Sequence, residues 1–480
     1  MQKLNRNNIE VSDVLPIKIV QFGEGNFLRA FVEYAFQTLN NEVGFNAGIA
    51  VVQPIDKGMV SMLNDQDGLY TLFTKGLENG VAVEKKELIT NIVSGIDPYL
   101  NFNDFLNLAK EPELEFVISN TTEAGISFVE IDDFNMAPPS SFPAKLTRLL
   151  FERFTHFNGA SDRGLTIIPC ELINYNSDTL KQIILDYISL WNLSKDFKYW
   201  ILNSCTFHNT LVDRIVPGYP RDQIEAYNKQ LNYQDNLIVS AETFFLWVIE
   251  GDEALKKKLP FHKTNLDVKI VNDMQPFRTR KVRILNGAHT AMVPFSLLYG
   301  NETVKETVEE DFTGPFIRSL VFDEVIPTLE MEKEELNEFA NAVFDRFRNP
   351  FIKHQLASIA LNSISKFKVR VLPSLLMYHQ IKGNLPTKMV FAFACLIRFY
   401  KGNYNGNVMP VNDDNDVVSE MALLWKLCSM NEIATKVLGK TQYWGQDLNE
   451  IEGLTNAITT SLELIEEYGI EKGFLKLGQS

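Results

Sequence analysis

The sequence predicts an α/β fold: a Rossmann-type doubly wound parallel sheet, followed by a second, mostly α-helical domain. Three observations predict it. Short β-like runs alternate with helical stretches through the first half, as in successive βαβ units. A glycine turn follows the first run and opens a helix. Beyond about Pro276 strand-like runs become scarce and helical patterns dominate. At 480 residues the chain is too long for one ordinary core, so domains at 1–275 and 276–480 are expected.

Each element has its own reason. Ile17–Phe22 (IKIVQF) is an apolar run of buried-strand length, and the pattern after the turn predicts an amphipathic helix over 26–39. Residues 48–53 (GIAVVQ) read as the next strand, and 69–74 with 81–88 as an inserted antiparallel pair. Residues 114–119 (LEFVIS), 165–172 (LTIIPCEL) and 199–205 (YWILNSC) are further strand candidates, with helices at 144–154 and 179–191 between them. In the second domain, helical periodicity marks 333–348, 374–381, 388–400, 418–430 and 456–468. The polar stretch 401–416 reads as an exposed loop. Lys366, Lys368 and Arg370 alternate with apolar residues, as on a half-exposed strand; they are a cation source for an acidic substrate, or a solvated face.

Composition narrows the function classes. A 45% hydrophobic and 22% charged chain is that of a soluble globular protein. The net charge of −15 argues against nucleic-acid or membrane-surface partners, which need a concentrated basic face. A small anionic substrate stays possible, because a few local cations can override a diffuse negative field. MQKLNRNNIEVSD lacks the apolar core of a secretory signal, and no apolar run approaches the ~20 residues of a membrane span. Four widely separated cysteines have neither metal-finger spacing nor the density of a disulfide scaffold, which points to a reducing cytoplasm. The six histidines form no ligand motif, so no metal is expected, and no G-x-S-x-G elbow supports a hydrolase. The expected partner is a small molecule, bound by a monomer or small homo-oligomer.

The glycine turn, QFGEGNFLR, is a dinucleotide-type signature. Gly23 permits the tight turn and Gly25 lets the backbone approach a pyrophosphate at a helix N-terminus. The third glycine of GxGxxG is absent, since Leu28 stands there. Cofactor candidates along this stretch are Ile19, Phe22, Gly23, Glu24, Gly25, Asn26, Phe27, Arg29 and Ala30. At the end of the second strand, Gln53 stands where Asp or Glu usually holds the ribose hydroxyls, which leaves NAD or NADP open. Thr121 and Glu123, in SNTTEAG after another strand end, are nicotinamide-side candidates, with helix capping as the alternative.

The segment KVRILNGAHT brings together a lysine, a carboxamide and an imidazole at Lys281, Asn286 and His289. At about 100° per residue, Asn286 lies about 140° and His289 about 80° round an α-helix from Lys281, so all three can line one wall. Carbonyl reduction needs a proton donor, an amide for the developing oxyanion and a group orienting the neighbouring hydroxyl. This segment offers one of each.

Lys281-x4-Asn286-x2-His289, joined to the glycine turn, resembles the long-chain mannitol dehydrogenase family of polyol and uronate reductases. TTEAG at 121–125, PCELINYN at 169–176, NTLVDR at 209–214, RNPFIKH at 348–354 and SKFKVRVLP at 365–373 fit the same resemblance. It implies metal-independent, NAD(H)-linked interconversion of a ketose or ketouronate with its alcohol, in a site between a Rossmann-type and a helical domain. Lys281 would be the general acid/base, Asn286 an oxyanion donor and His289 a substrate-orienting group. Asp213 and Lys366 match substrate-contacting positions.

Two departures matter. Leu172 replaces an asparagine found after the strand-end Cys-Asp of mannitol-type members, unless Asn174 or Asn176 moves in. Arg278 stands where those members place a glutamate, which suits a substrate bringing its own carboxylate for a bidentate guanidinium pair; a surface ion pair is the alternative. The resemblance implies reduction of a ketouronate, tagaturonate, to its aldonate, altronate. Fructuronate and neutral ketoses are the alternatives.

Overall fold

The computed structural model describes residues 1–11, 15–78 and 80–478. They divide into two compact units, one of residues 1–75 and 83–274, the other of 76–82 and 275–480.

In the first unit six strands form one parallel sheet. They are β1 (Ile17–Phe22), β2 (Gly48–Val52), β3 (Ile92–Ile96), β4 (Phe116–Ser119), β5 (Thr166–Pro169) and β6 (Thr206–Phe207), in the spatial order β3-β2-β1-β4-β5-β6. This is the doubly wound order, with its switch point between β1 and β4, where ligands bind beyond the carboxyl ends of the strands. Alternate residues feed two cores. Ile19, Ile49, Val51, Phe116 and Ile118 pack on one face, and Val20, Phe22, Ala50, Val52 and Val117 on the other. Burial on both faces explains why these strands read as continuous apolar runs.

The run at 199–205 is not a strand. Lys195–Asn203 is an α-helix whose N-cap, Ser194, accepts from Phe197 N, and Phe197, Trp200 and Ile201 bury one face at i, i+3 and i+4. Cap and helical period override the β-preference of YWIL, and the sixth strand is confined to β6. The inserted pair is Tyr70–Glu78 and Val81–Ile89, in a three-stranded sheet with Val239–Glu242. Thr210–Asp213, Leu246–Glu250 and Val268–Val271 form another.

The second unit is helical. Gly287–Tyr299 and Thr387–Phe399 are buried almost all round and pack on each other at its centre, as helices apolar on every face must. Lys333–Phe347, Leu372–Lys382, Asn415–Leu427 and Leu454–Tyr468 surround them. Stretch 401–416 carries a small hairpin, Asn403–Tyr404 against Asn407–Val408. Ser363–Arg370 is an α-helix, not a half-exposed strand, because Ile364 and Phe367 sink into the core at helical spacing. Among the described residues no helix is long and apolar enough to cross a membrane.

Candidate functional site

The first unit contributes the glycine turn at the end of β1. Gly23 has φ of 116°, and a Cβ there would stand 3.0 Å from Asn120 O, so turn geometry and close approach both require glycine. Gly23 N donates to Val52 O at 3.0 Å, and Gln21 Nε2 donates to Gly23 O at 2.9 Å. Gly25 is the N-cap of Asn26–Leu28, and a Cβ there would meet nothing within 4 Å. The space before this helix start is open to a phosphate. The helix passes into a π segment, Arg29–Glu33, and then Tyr34–Val43.

Not every candidate on this stretch faces that space. Ile19, Phe22 and Ala30 are fully buried in the cores, and Phe27 stacks on Phe31 with ring centroids 5.0 Å apart. The buried Arg29 guanidinium donates to Glu24 O at 3.2 Å, Asn26 Oδ1 at 2.8 Å and Leu237 O at 2.5 Å. It fixes the turn from behind. Leu28, in the place of the third glycine, is fully buried, with Cδ1 3.0 Å from where a Gly23 Cβ would be.

A cavity of about 390 Å³ opens over the turn, lined by Gly23, Glu24, Gly25, Asn120, Thr121 and Ser141 among others. Beside it, a recess of about 730 Å³ is lined by Gln53, Asp56, Lys57, Asp65, Asp97 and Asp104. Gln53 Nε2 donates to Ile55 O at 3.0 Å and Asp97 Oδ2 at 3.3 Å. Glu24 Oε1 accepts from Met59 N at 3.2 Å, and burial raises the Glu24 carboxyl above its ordinary range.

Glu171, nearly fully buried just beyond β5, organises the loop after β4. Its carboxylate accepts from Ser119 Oγ at 3.0 Å, Thr121 N at 2.9 Å and Thr121 Oγ1 at 3.0 Å. Burial raises its pKa, against those hydrogen bonds. Thr121 is thus placed at the cavity wall, while Glu123 heads the 3-10 turn Glu123–Gly125 and its side chain lies outside the described residues. Asp213 ends strand Thr210–Asp213 and is buried. Asn176 does not stand in for the asparagine missing at Leu172: its amide is buried and donates to Pro169 O at 3.0 Å and Thr210 Oγ1 at 3.2 Å. Leu172 itself is 59% exposed.

The second unit carries the lysine motif. Gln275–Arg280 leads into a π segment, Lys281–Asn286, and then Gly287–Tyr299. A π segment closes its backbone bonds from i+5 to i, so Asn286 stands one turn from Lys281 instead of about 140° away on an α-helical wheel. Lys281, Asn286 and His289 are half-buried. The His289 ring packs on Phe347 at 4.6 Å and edge-on to His354 at 5.1 Å between centroids. His354 is held below the ordinary histidine pKa by burial. Arg280 pairs with Glu335 at 2.8 Å and stacks on Phe277 and Phe339, which makes it a packing residue. Arg278, half-buried, lies in the turn before Lys281.

Gly287 lets the helix Ser363–Arg370 approach: a Cβ would stand 3.1 Å from Arg370 O. Lys366 Nζ donates to Ile359 O at 2.9 Å, Arg370 Nη1 to Thr290 Oγ1 at 3.4 Å, and Arg283 Nη1 to Val369 O at 2.8 Å. Asp97, Glu171 and His354 were not singled out as site residues from sequence, and Arg370 was read there only as a cation source for an acidic substrate or part of a solvated face. For Asp97 and Glu171 the usable signal was position, immediately beyond the carboxyl end of a sheet strand. Among the described residues no group of three or more His, Cys, Asp or Glu is placed to hold a metal ion.

The chain matches the mannitol dehydrogenase Rossmann domain over residues 17–263 and the mannitol dehydrogenase C-terminal domain over 273–466. It belongs to the mannitol dehydrogenase family. Among curated relatives it is 46% identical to an altronate oxidoreductase of Yersinia enterocolitica, over 98% of both chains. It is 47% identical to one of Klebsiella pneumoniae over the same shares, and 45% to one of Escherichia coli over 98% of this chain and 99% of that one. Two solved structures share the mannitol dehydrogenase fold at 20% identity. D-sorbitol dehydrogenase has a TM-score of 0.82, covering 98% of this chain and 100% of that one. Mannitol 2-dehydrogenase of Pseudomonas fluorescens, in ternary complex with NAD and D-mannitol, has 0.66 with both chains covered in full.

Proposed function

We propose that this chain is a tagaturonate reductase, interconverting tagaturonate and altronate with NAD(H). At the coarser level it is an NAD-linked oxidoreductase acting on the CH–OH groups of a sugar acid or polyol. The observation that carries the finer reading is the 45–47% identity to altronate oxidoreductases along almost the whole chain. The residues fit the cofactor. The open backbone at Gly25 suits a pyrophosphate, and the carboxylates at 56, 65 and 97 suit a ribose diol and oppose a 2′-phosphate.

Bound NADH supplies the hydride. The chain's own residues supply the rest. Lys281 Nζ would give a proton to the carbonyl oxygen, and Asn286 would donate to the same oxygen as negative charge builds on it. His289, with its ring plane set by Phe347, would hold the adjacent hydroxyl and so select the face presented for reduction. Glu171 would keep Thr121 at the cofactor cavity, and Asp213, Lys366 and Arg278 are the substrate-contact candidates. Four free cysteines, three of them buried, fit a reducing cytoplasm.

The test compares tagaturonate, fructuronate and fructose as substrates of the wild-type enzyme and of Lys281→Ala. Tagaturonate is expected to give the highest kcat/KM. The alanine variant should keep NADH affinity within about twofold while turnover falls by roughly a hundredfold or more, the scale of lost acid/base help. Preference for fructose, or turnover retained in the variant, would sink the reading.

A further inference from the structure

Three cations of the second unit gather where, among the described residues, no carboxylate forms an ion pair with them. Lys366 and Arg370 lie one turn apart on Ser363–Arg370 and therefore share a face, while Lys368 turns away toward Gly445, whose added Cβ would lie 3.5 Å from its Nζ. Arg283, from the lysine-motif helix, reaches the same helix through Val369 O. Among the described residues no carboxylate lies within 4.0 Å of Arg283, Lys366 or Arg370. Asp413 is the acid felt by Lys366, and it is already engaged by Tyr400 Oη.

The cost of this arrangement is visible. Burial lowers the pKa of all three groups; for Arg283 and Arg370 no acid opposes it, and Lys366 is lowered further by Arg370. Like charges one helical turn apart repel, and half-buried cations without a counter-ion are poorly solvated. An anion arriving between them would offset both penalties.

Position ties the cluster to the chemistry. Arg370 Nη1 reaches Thr290 Oγ1 over a long 3.4 Å, so it is loosely held and free to take a better acceptor. Thr290 is the residue after His289, and its hydroxyl donates to Asn286 O at 2.8 Å. The cations thus flank the helix face that carries the carboxamide and the imidazole. We propose that Arg370, with Lys366 beside it and Arg283 behind it, is the specificity determinant of this enzyme, holding the substrate carboxylate at the opposite end of the sugar chain from the ketone. This deepens the tagaturonate reading and rests on it. It moves the carboxylate contact from Arg278 to a site built by two helices of the same unit.

The experiment measures kcat and KM for tagaturonate and fructose in the wild type, Arg370→Gln, Arg370→Lys and Arg278→Gln. R370Q is expected to raise KM for tagaturonate at least tenfold, with kcat changed less than threefold and fructose kinetics unchanged. R370K should recover part of the loss. Equal damage to both substrates would mark Arg370 as structural and overturn the proposal, as would selective loss in R278Q instead. Should R370Q fail to fold, competition against tagaturonate in the wild type decides: altronate should bind at least tenfold tighter than its neutral polyol, altritol, and equal binding overturns the proposal. A wild type that prefers fructose ends both this inference and the functional reading. A wild type that prefers tagaturonate, with R370Q keeping that preference, ends this inference alone.

Discussion

Glu33 shows what burial does to one side chain. It is fully enclosed in the π segment after the glycine turn, where its carboxyl accepts from Gln21 Nε2 at 2.7 Å and Tyr70 Oη at 2.6 Å. Burial pushes its pKa up to about 7, against the hydrogen bonds from Tyr70 and Gln21. A carboxyl raised in the folded state binds a proton that the unfolded chain has already released. Its contribution is therefore fully present below about pH 4.5 and is lost as pH rises through about 7. Glu33→Gln is expected to remove about 3 kcal/mol of the fall in stability between pH 4.5 and 8, read from urea melts at both pH values. An unchanged pH dependence would refute the assignment. No sequence pattern marks this group, because its shift comes from the core closing over it. Lys281, Asn286 and His289 were legible as a candidate group, from residue type and close spacing.

At the scale of elements, both motif helices contain a π segment, Arg29–Glu33 and Lys281–Asn286. Such segments trade backbone hydrogen-bond geometry for a side-chain arrangement and recur at functional sites. An α-helical wheel drawn on the sequence could group Lys281 with Asn286 but not give their true angle, because the wheel assumes an α-helical turn and this segment is a π turn. Leu28 gives the complementary case. Its core contacts take up the space a third glycine would leave, so the shortened GxG is compensated by packing. Leu28→Gly, which would complete the GxGxxG pattern, is expected to lose about 3–5 kcal/mol of stability in urea melts without tighter NADH binding. Improved binding at unchanged stability would contradict this account of the turn. Helices 195–203 and 363–370 were misread as strands for one reason: short runs of alternating or aromatic residues carry both periods, and burial of 197, 200 and 201, or of 364 and 367, chooses between them.

Across the whole molecule, the parallel order β3-β2-β1-β4-β5-β6 is the doubly wound one, and the glycine turn falls at its switch point. The ligand should report on that design. NADH at a hundredfold over its Kd is expected to stabilise the first unit by about 2.7 kcal/mol in calorimetric melts. NADPH at the same concentration should stabilise it less, because its 2′-phosphate would meet the carboxylates at 56, 65 and 97. Equal stabilisation would remove the ribose recess from the cofactor site.

The amino-acid sequence by itself determined the fold class and the glycine turn and marked the lysine–asparagine–histidine segment as a candidate, because periodicity and short-range spacing are local properties of the chain. Only the tertiary structure decided that Glu171 anchors the Thr121 loop, that the Asn176 amide is buried against Pro169 O and Thr210 Oγ1, and that Lys366 and Arg370 share a face beside Thr290. These depend on which segments pack together over separations of tens of residues, and burial and hydrogen-bond satisfaction are settled there.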